Sequence, residues 1–196
     1  MKMPKSEIER FVASKEKWIA GKLALTAGQK EQRENFSLAY GDLLTYRDRL
    51  YPIEARAVNR IGFDDECFYI PPGLSPEQVK DACIQIYRLL AKRDLTDRVY
   101  DFSRQMSVMP YSVRVNNAKT RWGSCSAKRS LNFSWRLIMA DDEVIDYVVV
   151  HELAHIREMN HSERFWGIVR GVLPDYQERR ARLKALQLKL SGEDWG

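Results

Sequence analysis

Apolar positions recur at helical spacing near the start of the chain. Ile8, Phe11, Val12, Ile19 and Leu23 fall on one side of a helix predicted over residues 6–25. Ser6 with Glu9 three residues on reads as a capping box at its start, and Gly28 marks its end. Short β-like runs follow at 36–40, 43–46, 51–58 and 66–70, with turns expected at Gly41-Asp42 and from Gly62 to Asp65. Pro71-Pro72-Gly73 closes this region. Ser75-Pro76-Glu77-Gln78 then carries the signals of a helix start: an N-cap serine, a proline at the first helical position and a glutamine completing the box. A long helix is predicted from there to about Met106, with a break near 94–97. Strand-like runs at 112–115, 120–124 and 131–138 come next, then helices over about 142–159, 162–173 and 175–190. The pattern predicts an α+β fold in a single domain over 1–196, with an N-terminal helix and β-rich segment over about 1–72 and a core over about 73–190.

Composition narrows the class. With 196 residues, 44% hydrophobic and 30% charged, 10 Gly and 7 Pro, the chain is neither collagen-like, low-complexity nor disordered. No run approaches the roughly 18 apolar residues of a membrane helix. The first residues turn polar at once, without an apolar signal-peptide core, so a cytoplasmic location is expected. Cys67, Cys83 and Cys125 are odd in number and far apart, without a C-x-x-C pair, which argues against a disulfide framework or a cysteine zinc site. Lys and Arg outnumber Asp and Glu by 32 to 27, a mild excess that permits an acidic partner without demanding one.

The chemistry concentrates in one place. The chain has 3 histidines, His151, His155 and His161, in the segment Val150-His151-Glu152-Leu153-Ala154-His155-Ile156-Arg157-Glu158-Met159-Asn160-His161. Within it stands H-E-x-x-H. On a helix, positions i and i+4 share a face, so both imidazoles reach one metal ion while Glu152 faces the open coordination position. A third protein ligand leaves one position for water, the arrangement of a catalytic zinc. His161 suits that role only if the chain turns, since on a continuous helix it would lie ~9 Å beyond His155. Asn160 offers the turn through its tolerance of left-handed backbone, and can cap the next helix with Glu163 in the box position. A carboxylate such as Glu178 or Glu163 is the alternative third ligand. The histidine spacing is that of the metzincins, but Glu158 stands where those have glycine.

Arg121-Trp122-Gly123-Ser124-Cys125-Ser126, Trp135-Arg136-Leu137, the run from Tyr147 to His155, Asn160-His161-Ser162 with Phe165-Trp166, and Pro174-Asp175-Tyr176 together resemble the YgjP-like metallopeptidases. These are bacterial proteins near the SprT and WLM groups of small zincins. The resemblance is dense over 111–183 and looser back to Ile8–Val12 and Trp18-Ile19. Family members usually carry a further β-hairpin before the first helix, so the sheet here is expected to be incomplete or differently built. The resemblance implies a zincin fold, a small twisted sheet over the active-site helix, with one Zn2+ held by His151, His155 and His161 and Glu152 as catalytic base of a peptidase. An extended peptide substrate would pair with the edge of the 120–124 strand.

Arg121, Arg136 and Tyr147 are candidate oxyanion stabilisers, and Glu158 or Asp175 candidate partners of the histidines. Trp122, Trp135 and Trp166 read as core packing around the helix. Cys125 as a thiol nucleophile is the weaker chemistry, because the histidines are better explained as ligands. A second function is contact with DNA, whether as a protease acting on DNA-bound proteins, as in SprT-like and WLM relatives, or as a binding module. Lys119, Arg121, Lys128 and Arg129 surround Trp122, and Arg164, Arg170, Arg179, Arg180, Arg182 and Lys184 recur along the last helices. Against it, such residues often form a solvated basic face on helices that also hold Glu163, Asp175 and Glu178.

Overall fold

A computed structural model describes residues 4–196. They divide into two compact units: residues up to Phe36 together with Gln187–Gly196, and Ser37–Leu186. The first holds helices α1 (Lys5–Ser14) and α2 (Glu16–Glu34). The single helix predicted there is two, and α1 starts from Pro4 without a side-chain cap, so Ser6 does not act as one. Neither helix buries a residue: Ile8, Phe11, Val12, Ile19 and Leu23, read as an inward face, are all exposed. Within this unit, Gln29 Nε2 donates to Ser191 Oγ at 2.6 Å, Arg33 Nε donates to the Ser191 carbonyl at 2.6 Å, and Phe36 packs on Trp195 at 5.1 Å. Phe36–Tyr40 is not a strand.

The second unit begins with a four-stranded sheet in the order β1-β2-β4-β3, built from β1 (Leu43–Tyr46), β2 (Arg49–Ala55), β3 (Gly62–Phe63) and β4 (Phe68–Ile70). β2 runs antiparallel to β1 and parallel to β4. The chain turns at Gly41 (φ 90°) just ahead of β1, as expected, and the β1–β2 hairpin turns at Arg47-Asp48, both with positive φ (50° and 58°). Two consecutive left-handed residues match the twist of a tight hairpin. Without glycine to ease it, this turn is held from outside: Arg47 N–H donates to the Ile138 carbonyl at 2.9 Å and the Arg47 guanidinium reaches Asp94 at 2.9 Å.

Helix α3 (Pro76–Gln105) starts as its sequence dictates. Gln78 N–H donates to Ser75 Oγ at 3.4 Å, and Ser75 N–H donates back to Gln78 Oε1 at 2.9 Å. The helix continues unbroken through 94–97. Asp94 is buried and accepts from Tyr46 Oη at 2.8 Å and Arg47 Nε at 3.0 Å, so a polar residue that reads as a break is an anchor for the β1–β2 turn.

A second sheet, ordered β5-β7-β6, comprises β5 (Ser112–Asn116), β6 (Gly123–Cys125) and β7 (Ser130–Ser134). The central strand β7 buries Leu131 and Phe133 completely. It leads into a 3₁₀ turn, Trp135–Met139, in which every residue is buried. Trp135 stacks on Tyr87 of α3 at 5.2 Å and donates its indole N–H to Asn117 Oδ1 at 2.8 Å. Each such large side chain stabilises by about 1.5–3 kcal/mol when fully buried. On this core lies α4 (Asp142–Ala154), capped by Asp141, whose Oδ1 accepts Val144 N–H at 3.0 Å. Helices α5 (Glu163–Val172) and α6 (Tyr176–Leu190) follow. The fold is α+β, as the pattern predicted. Among the described residues, no helix is long and apolar enough to cross a membrane.

Candidate metal centre

His151 and Glu152 stand on the last turns of α4, and His155 caps its C-terminus. The helix ends before the predicted 159. Arg157 N–H and Glu158 N–H both turn back to the Ala154 carbonyl at 3.0 Å, and His155 Nδ1 donates to the Glu158 carbonyl at 3.1 Å. The reversal therefore begins at once, and Asn160, whose φ is not positive, does not supply it. Nor does Asn160 cap α5. Ser162 does, its Oγ accepting Phe165 N–H at 3.3 Å.

This turn brings His161 back to the other two histidines. One ring nitrogen from each of His151, His155 and His161 lies within 4.8 Å of the others, and His151 Nε2 stands 3.0 Å from His161 Nε2. His155 is tied at Nδ1, which leaves its Nε2 lone pair for the cluster. His151 Nδ1 is buried without a hydrogen-bond partner. Three imidazoles gathered on one point form a donor set that suits a divalent transition metal. Neither Glu163 nor Glu178 joins the cluster.

Beneath the three rings lies Phe165, fully buried, with its centroid 4.9, 4.5 and 4.8 Å from those of His151, His155 and His161. Trp166 lies 5.7 Å from His161, nearly parallel to it, and 5.8 Å from His151. Of the three tryptophans read as core, Trp135 is buried, whereas Trp122 and Trp166 are half-exposed and Trp166 borders the histidines. The placement of Phe165 and Trp166 was missed in the sequence, where only their position three and four residues after a cap serine hinted at it.

Glu152 is 6% exposed and lies against strand β6. A Cβ on Gly123 would come within 2.6 Å of Glu152 Cγ and Oε1, so the strand reaches the carboxylate only because this residue has no side chain. Burial raises the Glu152 pKa to about 7, against the pull of the nearby Arg121 charge. Burial likewise pushes His151 down to about 3, with the charges of His155, His161 and Arg180 adding to the effect, and lowers His155. Burial thus favours the neutral forms of His151 and His155, beside a carboxyl group poised between its two states.

The other candidate residues separate by their partners. Arg136 is buried and donates to Asn117 Oδ1 at 2.8 Å, a structural position away from the cluster. Tyr147 meets His151 edge-on at 5.8 Å. Glu158 contributes its backbone carbonyl to His155, and Asp175 pairs with Arg179 at 2.9 Å. Burial raises the Cys125 thiol pKa. Of the basic residues on the last helices, Arg179 and Arg182 pair with Asp175, Asp141 and Glu143, and Arg164 stands 4.0 Å from Glu158.

The family model described as YgjP-like, metallopeptidase domain, matches residues 1–186. The crystal structure of the metallopeptidase zymogen of Pyrococcus abyssi abylysin is similar over 46% of this chain and 92% of that one, at 23% identity and a TM-score of 0.44. That of the metallopeptidase zymogen of Methanocaldococcus jannaschii jannalysin matches over 46% of this chain and 94% of its own, at 20% identity and a TM-score of 0.42. No curated protein matches the sequence.

Proposed function

Because the chain belongs to the YgjP-like metallopeptidase family, we propose that it hydrolyses peptide bonds with one zinc ion held by His151, His155 and His161 and with Glu152 as general base. The observation that carries this reading is the convergence of three imidazole nitrogens within 4.8 Å, with a buried carboxyl group on the residue after the first of them. A bound zinc ion supplies Lewis acidity, lowering the pKa of water toward 7 and polarising the scissile carbonyl. The rest falls to the chain itself. The Glu158 carbonyl fixes the His155 ring and its tautomer, so that Nε2 faces the cluster. Phe165 excludes water from beneath the three rings. Glu152, with a pKa near 7, accepts a proton from the attacking water and returns it to the leaving amine. Strand β6 pairs with β7 on one side only, and its free edge offers backbone donors and acceptors to an extended peptide beside Glu152.

The test is metal content and hydrolysis of unstructured polypeptide by the wild type, Glu152→Gln and His161→Ala. We expect about one zinc per chain in the wild type, retained in Glu152→Gln with hydrolysis abolished, and lost or much weakened in His161→Ala. A fully active Glu152→Gln variant would remove the general-base role. Wild-type protein that never met a chelator and holds no zinc would remove the metal assignment.

A second reading is contact with nucleic acid, favoured by Lys119 and Arg121 just before the half-exposed Trp122 and by Lys128 and Arg129 at the β6–β7 turn, none of which has an ion-pair partner among the described residues. Binding to labelled single-stranded DNA that weakens steeply with salt supports it, and no shift at low salt rejects it.

A further inference from the structure

Arg180 stands apart from its neighbours on α6. Arg179 is neutralised by Asp175, and Arg182 by Asp141 and Glu143, whereas Arg180 makes no ion pair among the described residues. It is exposed, yet it does not wander free: its guanidinium lies over the Trp166 ring, 5.4 Å from the centroid. Trp166 is itself fixed, stacked on Tyr176 at 5.2 Å and lying nearly parallel to His161 at 5.7 Å. A cation–π contact orients a guanidinium without cancelling its charge, and leaves its planar fork of N–H groups for a carboxylate. The chain thus holds an unneutralised, pre-oriented positive charge one aromatic ring away from the histidine cluster.

A second positive charge acts on the site near Glu152. Arg121 precedes Gly123, the residue lying against Glu152, and it too has no ion-pair partner among the described residues. The acidic group nearest the turn, Glu158, faces Arg164. Unpaired cations beside a site favour negative ligands and disfavour positive ones.

From this arrangement we infer that the site selects peptides carrying a carboxylate close to the scissile bond, and that Arg180, held on Trp166, is the residue that reads it. The inference rests on the peptidase reading above and names its substrate class. The carboxylate is an aspartate or glutamate side chain, or the peptide's own C-terminus, and Arg180 binds it in a two-pronged hydrogen-bonded pair. Because the pair is partly solvated, the preference it gives is modest, about three- to ten-fold.

Two measurements test the inference. The zinc-loaded protein is given matched peptides that carry Glu, Gln or Lys at each position flanking the cleaved bond, with free or amidated C-termini, and kcat/KM is compared. In parallel, binding of the same peptides to the Glu152→Gln variant is measured by calorimetry at two salt concentrations, a readout that does not need turnover. We expect acidic peptides to be favoured about three- to ten-fold over neutral ones in both measurements. The gain should lie at one position, which separates a side chain from a C-terminal carboxylate, and should shrink with salt. Arg180→Gln should abolish the ratio and Arg180→Glu should reverse it toward lysine peptides, since an exposed position tolerates either without unfolding. Equal treatment of all three peptide classes, or a ratio unchanged in Arg180→Glu, overturns the inference while leaving the peptidase reading intact. Absence of hydrolysis in every peptide overturns the peptidase reading, and calorimetry then decides the carboxylate preference by itself. Tighter binding of a single-stranded oligonucleotide than of any acidic peptide, lost in Arg180→Glu, assigns Arg180 to nucleic acid and overturns the inference.

Discussion

Replacing Gly123 by alanine would drive a methyl group into Glu152, whose Cγ and Oε1 lie 2.6 Å from where that Cβ would stand. Backbone cannot yield there without disturbing the pairing of β6 with β7, but the carboxylate is the end of a flexible side chain and can turn aside. The fold therefore survives and the general base is misplaced. We expect Gly123→Ala to keep its zinc and lose about 100-fold in kcat, since a displacement near 1 Å at a reacting group costs that much. Metal analysis with steady-state kinetics checks it, and unchanged kcat would show that Glu152 tolerates the shift. At this scale the sequence was legible where chemistry is local. The i and i+4 histidines and the intervening glutamate follow from helix geometry alone. Gly123, Phe165 and Trp166 were not, because each acts through a contact made only after strand and helices assemble.

The turn between β3 and β4 carries its own pH dependence. Asp64 accepts hydrogen bonds from Cys67 N–H at 3.0 Å and Glu66 N–H at 3.1 Å, and pairs with Arg56 at 2.5 Å. The Cys67 amide first, and then Arg56, lower its pKa from 3.8 to about 2. A carboxylate whose folded pKa is depressed stabilises the fold above its ordinary pKa, and that contribution fades as pH falls from about 4 through 2. Denaturant unfolding of wild type and Asp64→Asn should therefore differ at pH 6 and converge toward pH 2. A gap that persists at pH 2 would assign the effect to side-chain shape instead. Elements with local signals were legible: the Ser75–Gln78 box opens α3 where it was expected. The β1–β2 turn was not, because Arg47 and Asp48 carry no glycine signal and their left-handed backbone is held by the Ile138 carbonyl and Asp94. For the same reason α3 runs straight through Asp94, whose polar partners come from β1 and the turn after it.

Across the whole molecule, burial is uneven. Helix α3 buries Ile86, Tyr87, Leu90, Leu95 and Val99, and α4 buries most of its length, whereas α1 and α2 bury nothing. Backbone amides protected only by their own helix exchange through local fraying, and those under a packed core require wider opening. Hydrogen exchange should thus be complete in α1 and the first half of α2 while the middle of α3 and α4 is still protected. Similar protection in all four would mean that the first two helices are covered in solution. Their apolar periodicity read as a core face, and that inference failed because spacing reports which side is apolar but not whether anything packs on it. Order of synthesis adds a further consequence. Gln29 meets Ser191 across 162 positions, so α2 gains this contact only after the intervening chain has emerged. At translation speeds of about 5–20 residues per second Gln29 waits roughly 8–30 s for that partner, and its arrival leaves Trp18 and Leu23 still exposed, so chaperones rather than tertiary contacts keep these two side chains apart from other nascent chains.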